Sequence, residues 1–276
     1  MSLPARSARA RFAEQLARPE PEVDLARAAL LVAAEEYPQL VPEPYLQRLD
    51  VYAERVRDRL SEESAPLLVL QELARVLFVE DGLRGNTEAY YDPRNSFLND
   101  VLDRRVGIPL TLSIVYLEVG WRLGLPLHGV NFPGHFLVRF EGEALRLLID
   151  PFLGGLIRFE DEAQELLDRA YGGAVPLQPS YLRQADRKSI IVRLLSNLKG
   201  VYLNARDDAR ALAAIERILL IVPDAAEELR DRGLALTRLG RETEALSDLQ
   251  RYLELAPEAP DVEGVRMLIR RHEEGA

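Results

Sequence analysis

The chain has 276 residues, 47% hydrophobic and 29% charged, enough apolar material for one large or two modest domains with a core. Its 45 acidic residues against 35 basic ones leave a net charge of −10 with no compact basic stretch, which excludes a phosphate backbone, and so nucleic acid, as a partner. It contains no cysteine, which excludes disulfides, thiolate metal sites and a cysteine nucleophile.

Residues 1–20 are Arg-rich, lack the apolar stretch of a secretory signal, and read as a flexible N-terminus. AALLVAA (28–34), typical of the longest apolar runs, is too short to span a bilayer, so no membrane association is expected and a cytoplasmic location is the default. Residues 21–85 predict a helical subregion. Apolar positions in EVDLARAALLVAAEEYPQL recur at helical spacing until Pro38 ends the pattern. PEPYLQRLDVYAERVRDRL (42–60) is amphipathic through Tyr45, Leu49, Tyr52 and Val56. A third helix in PLLVLQELARVLFVED ends at a segment punctuated by Gly82 and Gly85.

A core follows over 86–160, within a domain spanning 21–178. It begins with the polar and aromatic loop EAYYDPRNSFLNDVLDRR. GIPLTLSIVYLEVGWRLGLP then predicts a helix opening at Pro109, a residue suited to a first helical turn, and ending near Gly124. Residues 125–150 are β-rich and leave through DPFLGG; 160–171 read as helix and GGAVPLQPS (172–180) as a linker.

Residues 185–276 are helical and repetitive. Pro223 and Pro257, Ala211 and Ala245, Leu212 and Leu246, and Leu219 and Leu253 are each 34 residues apart, the period of a tetratricopeptide helix pair. Lys199 stands at the small-residue site of the first repeat. Two repeats are fewer than an independent array needs, so they are expected to pack on the preceding domain, with 260–272 as a closing helix. The fold class is therefore α+β and mostly helical: a helical N-terminal region, a core of helix on antiparallel sheet, and helical repeats.

The chemistry concentrates in GVNFPGHFLVRFEGEALRLLIDPF (129–152). With Gly142-Glu143 as a two-residue turn, opposed residues have numbers summing to 285. Phe140 then meets Leu145, Val138 meets Leu147, and Phe136 meets Ile149 on one apolar face. The other face places His135 opposite Asp150, Leu137 opposite Leu148, and Arg139 against the like charge of Arg146. A carboxylate beside an imidazole fixes its tautomer, as in a catalytic triad. The plainer alternative is a structural histidine bonded to an aspartate that also starts the Asp-Pro turn.

The stretches GIP, LGLPLHGVN, GHFLVRF and LIDPF resemble the transglutaminase-like, papain-related core. That family carries Gly-x-Cys at the start of a helix, Leu-Gly-Ile-Pro about fifteen residues on, then a strand histidine and an Asp-Pro step. Its histidine and aspartate correspond to His135 and Asp150, but its cysteine position is occupied by Pro109. EEYPQLVPEPYLQRLD, YYDPRNSFLNDVLDRRVGIPLTLS and NLKGVYLNARDD further resemble a bacterial family, known as an invasion-gene expression regulator, that joins a degenerate core of this kind to tetratricopeptide repeats. The resemblance implies a protein that has lost the catalytic thiol, with His135 and Asp150 as vestigial triad positions.

Ser113, one helical turn beyond Pro109, is the alternative nucleophile, although no GxSxG or S-x-x-K surrounds it. It can equally bond a carbonyl one turn back. Asn95, Asn99, Asn131 and Tyr91 are candidate binding residues able to donate to an oxyanion, or else turn and cap formers. His128, His135 and His272 lack metal-ligand spacing, so neither a metal nor a cofactor is expected. Two functions compete. One is a non-catalytic interaction or regulatory module that engages an unknown protein or peptide through its cleft and residues 185–276, with a basic or amphipathic partner suggested by the chain's acidity. The other is a hydrolase or acyltransferase using His135 and Asp150 with Ser113 or water.

Overall fold

The computed structural model describes residues 5–61, 63–143 and 145–275, which form two compact units divided between Leu194 and Leu195. In the first unit, helix α1 (Ala5–Leu16) buries Ala8, Phe12 and Leu16, one residue per turn on a single face, against α2 (Leu25–Glu36). Arg9 adds a bidentate pair to Glu35 at 2.8 and 3.0 Å. The flexible N-terminus expected over 1–20 is thus corrected over 5–16, where the apolar stripe is enough to dock a helix.

Helix α2 is capped by Asp24, whose side chain accepts from Arg27 N, and it is buried from Leu25 to Ala34 except at Arg27. The amphipathic α3 (Glu43–Arg57) buries Leu49, Tyr52 and Val56, while Tyr45 stays half-exposed and donates to Asp103 at 2.8 Å. Helix α4 (Pro66–Ala74) runs on into a π-helical turn at Arg75–Glu80. Helix α5 (Leu98–Arg104) lies between the paired two-residue strands β1 (Arg84–Gly85) and β2 (Val106–Gly107). The central α6 (Pro109–Arg122) is buried from Pro109 to Gly120. Its buried Glu118 accepts from Ala26 N at 2.9 Å, a carboxylate at the N-terminal end of α2. Burial pushes that carboxyl above its usual range, and the Arg122 guanidinium pulls against the shift.

One antiparallel sheet backs α6. Its strands are β3 (Leu127–Val130), β4 (Leu137–Glu141), β5 (Arg146–Asp150), β6 (Leu156–Phe159) and β7 (Gln184–Ala185), in the order β6-β5-β4-β3-β7. Gly120 lets β3 approach: a Cβ there would lie 2.1 Å from Leu127 Cδ1. The only tryptophan of the chain, Trp121, donates its indole N–H to Leu127 O at 2.8 Å, and the Arg187 guanidinium sits 4.5 Å over its ring. The opposite face, with Val130, Leu137 and Leu148, is covered by Ala163 and Leu167 of α7 (Ala163–Tyr171) and by Val175, Leu177 and Tyr181.

The hairpin register differs from the expected one by two residues. Val138 faces Ile149, Phe140 faces Leu147 and Glu141 faces Arg146, so the connecting loop is 142–145, with Gly142 N donating to Leu145 O at 3.0 Å. A slip of two preserves the alternation of faces, so the apolar side survives. It also removes the Arg139–Arg146 clash. Arg139 lies opposite Leu148 and donates to Leu182 O at 2.9 Å and Glu141 at 3.0 Å.

Residues 172–180, expected to be a linker, are a strap on the sheet: Gln164 donates to Val175 O at 3.1 Å and accepts from Leu177 N at 2.7 Å. The chain then enters α8 (Arg187–Asn204), within which the two units divide.

The second unit continues with α9 (Asp208–Ile221), α10 (Ala226–Arg238), α11 (Glu242–Leu255) and α12 (Val262–Gly275). Helices α9 and α11 start and end 34 residues apart, and their C-cap amides, Val222 and Ala256, each bond the carbonyl four residues back. The small residues set the helix spacing: a Cβ on Gly233 would lie 2.7 Å from Leu249 and 3.2 Å from Ala245 O. Lys199 meets Glu228 at 2.7 Å and Asp231 at 2.9 Å. No helix among the described residues is long and apolar enough to cross a membrane.

Candidate functional site

His135 Nε2 lies 2.9 Å from Asp150 Oδ2. The pair is not the direct cross-strand neighbour that the expected register implied. In the observed ladder β4 starts only at Leu137, and His135 stands before it, at the end of the turn Phe132-Pro133-Gly134-His135. That turn is closed by His135 N to Phe132 O at 3.0 Å, with Gly134 at φ +69°, the pattern of a Pro-Gly type II turn. The turn delivers the imidazole to a carboxylate at the end of β5.

Asp150 is 2% exposed, and its other oxygen accepts from Phe152 N at 3.0 Å and Leu153 N at 3.3 Å, capping the short turn Pro151–Leu153. Helix α6 packs on that turn. An acceptor-only carboxylate at Nε2 means that Nε2 carries the proton, which leaves the Nδ1 lone pair free. Among the described residues no hydroxyl bonds the imidazole. Pro109 occupies the first position of α6, and Ser113 is fully buried with no partner for its Oγ among the described residues. Neither lines the cavity of about 270 Å³ beside His135.

That cavity is walled by Phe132, Pro133, Phe152, Leu166 and Ala170, with Arg169 at the same wall. A chain of edge-to-face aromatic contacts leads from it to the surface. His135 meets Phe152 at 6.0 Å, Phe152 meets Tyr90 at 6.5 Å, and Tyr90 meets Tyr91 at 5.4 Å. Burial pushes the Tyr90 phenol above its ordinary range. Gly85 makes room for Phe152, since a Cβ there would fall 2.5 Å from the ring. Tyr91, 73% exposed, ends the chain.

The asparagines do not converge on His135. Asn95 accepts from Asn86 at 3.0 Å and donates both amide hydrogens within its loop, to Ala89 O at 2.7 Å and Tyr90 O at 3.2 Å. Its carbonyl accepts from Thr111 Oγ1 at 2.8 Å, tying loop 86–95 to the start of α6. Asn99 is buried beside a separate groove with Tyr37, Tyr45 and Asp103. Asn131 is exposed and does not line the cavity. The side chain of His272 lies outside the described residues. Sequence reasoning missed Phe152, Leu166 and Arg169; the Pro-Gly step was the one local signal that a turn would present His135.

A helix packed on a His/Asp-bearing antiparallel sheet, followed by 34-residue helix pairs, defines a transglutaminase-like domain with tetratricopeptide repeats. The chain belongs to the transglutaminase-like superfamily, whose model matches residues 43–196, and a tetratricopeptide repeat model matches 198–270. It is similar to a UPF0162 protein of Xylella fastidiosa, 43% identical over 88% of this chain and 87% of that one. It is also similar to a UPF0162 protein of Vibrio cholerae (36%, over 68% and 70%) and to Protein SirB1 of Salmonella typhimurium (32%, over 78% and 82%). Among solved structures, the crystal structure of menin is a distant match, 12% identical with a TM-score of 0.43, over 91% of this chain and 70% of that one.

Proposed function

We propose that the protein is a non-catalytic transglutaminase-like interaction module, with the His135 cleft as a binding site and the repeats over 185–276 as the surface for a protein partner. The observation that carries this reading is Pro109, at the helix start where the family's thiol belongs, in a chain without cysteine. The buried Ser113 Oγ, away from the His135 cavity, supports it further. In this reading Asp150 serves the turn at Pro151–Leu153 as much as the histidine, Asn95, Asn99 and Asn131 serve the fold, and Tyr91 belongs to the aromatic rim of the cleft.

The purified full chain is assayed against amide and ester substrates beside His135→Ala. The expected outcome is no His135-dependent turnover. Turnover lost in His135→Ala at unchanged thermal stability establishes instead the hydrolase or acyltransferase with Ser113 or water as nucleophile.

A further inference from the structure

The polar groups at the His135 cavity divide unequally between donors and acceptors. Asp150 is the one carboxylate on its wall, and both of its oxygens are occupied, by the imidazole and by two backbone amides. What remains for a ligand is two donors, with the His135 Nδ1 lone pair the one acceptor left on the wall. The Arg169 side chain is 64% exposed and, among the described residues, pairs with Glu165 alone, at 3.6 Å one turn back. The Gly134 N–H has no hydrogen-bond partner among the described residues.

The rest of the wall is apolar, through Phe132, Phe152, Leu166 and Ala170, and about 270 Å³ suits one side chain and a small head group. We infer, on the reading of this cleft as a binding site, that it receives the C-terminal residue of a partner polypeptide. The free α-carboxylate faces Arg169 and the Pro133–Gly134 turn, and an apolar last side chain fills the cavity. A phosphate group leaves the apolar wall bare. A free amino acid leaves uncovered the aromatic track that continues outward from Phe152 to Tyr90 and the exposed Tyr91.

Fluorescein-labelled Gly-Ser-Ala-Val-Leu, as free acid and as C-terminal amide, is titrated into the full chain and followed by anisotropy. The acid is expected to bind about tenfold tighter than the amide, the scale of a charge-assisted pair. Arg169→Gln is expected to bring the acid down to the amide's affinity without moving the amide's affinity or the melting temperature. Unlabelled leucine at matched concentration is expected not to displace the pentapeptide. Equal binding of acid and amide, an acid preference untouched by Arg169→Gln, or displacement by leucine overturns the C-terminal assignment while leaving the cleft as a binding site. Binding of neither peptide overturns both.

Discussion

In the first unit Glu118 reaches Ala26 across 92 positions of the chain and Tyr37 reaches Asp100 across 63. In the second, Gly233 meets Leu249 and Arg232 pairs with Asp248, each across 16 positions between consecutive helices. The repeats therefore add up neighbour by neighbour, and a lesion in one is confined to its interfaces. The transglutaminase-like unit closes on itself through distant segments, and its cleft is a by-product of that closure. Damage elsewhere in that unit is therefore expected to reach the cleft.

The largest expected effect tests that contrast. Phe140, 2% exposed, faces Leu147 across the hairpin, and Phe140→Ala is expected to cost about 3–5 kcal/mol in denaturant unfolding. Loss of the first unit's transition with the repeats' helical signal retained sharpens the comparison; a joint shift of both breaks it. Next comes Asp150→Ala, which strips two backbone amides and the imidazole of their acceptor and is expected to cost about 3 kcal/mol. Asp150→Asn, whose amide oxygen still accepts from Phe152 N, is expected to cost roughly 1 kcal/mol less.

Within the repeats, Gly233→Val drives side-chain atoms into Leu249 and is expected to cost about 2 kcal/mol, read as an earlier helical transition while the first unit keeps its own. The smallest effect is Lys199→Met, about 1.5 kcal/mol, since Glu228 and Asp231 lose the cation they share at a mostly buried site. Burial by itself lowers the Lys199 pKa, but hydrogen bonds to Glu228 and Asp231 overcome it and hold the folded value above the ordinary 10.5. A folded pKa raised above the unfolded one stabilises fully below the unfolded value and stops doing so as pH rises through the folded one. The difference between wild type and Lys199→Met should therefore stay flat from neutral pH to about pH 10 and shrink above it.

Helices announced themselves wherever a periodic stripe met a terminator, as in α2 before Pro38 and α6 between Pro109 and Gly124. The 34-residue offset was legible because one packing problem, small residues where helices touch, is solved twice. Alternation was enough to separate the hairpin's faces but not to set its register, because loops of two residues at 142–143 and of four at 142–145 keep the same residues inward. Strands β6 and β7 are four and two residues long, and what holds them is pairing, of β6 with the adjacent β5 and of β7 with the distant β3, rather than any pattern of their own. At α1 the stripe of Ala8, Phe12 and Leu16 was present but lost among arginines. Arg169 carried no local signal, since what makes it a neighbour of His135 is the helix α7 laid over the sheet, and Phe152 reaches the ring through the turn that Asp150 caps.

Trp121 turns this division into something an instrument can see. It is the chain's one indole, fastened at the junction of α6 with β3 beneath the Arg187 guanidinium, and the second unit has none. Its emission is thus a gauge of one half of the molecule alone. Circular dichroism sums the helices of both halves, so the two signals recorded on one sample should disagree whenever the halves come apart separately.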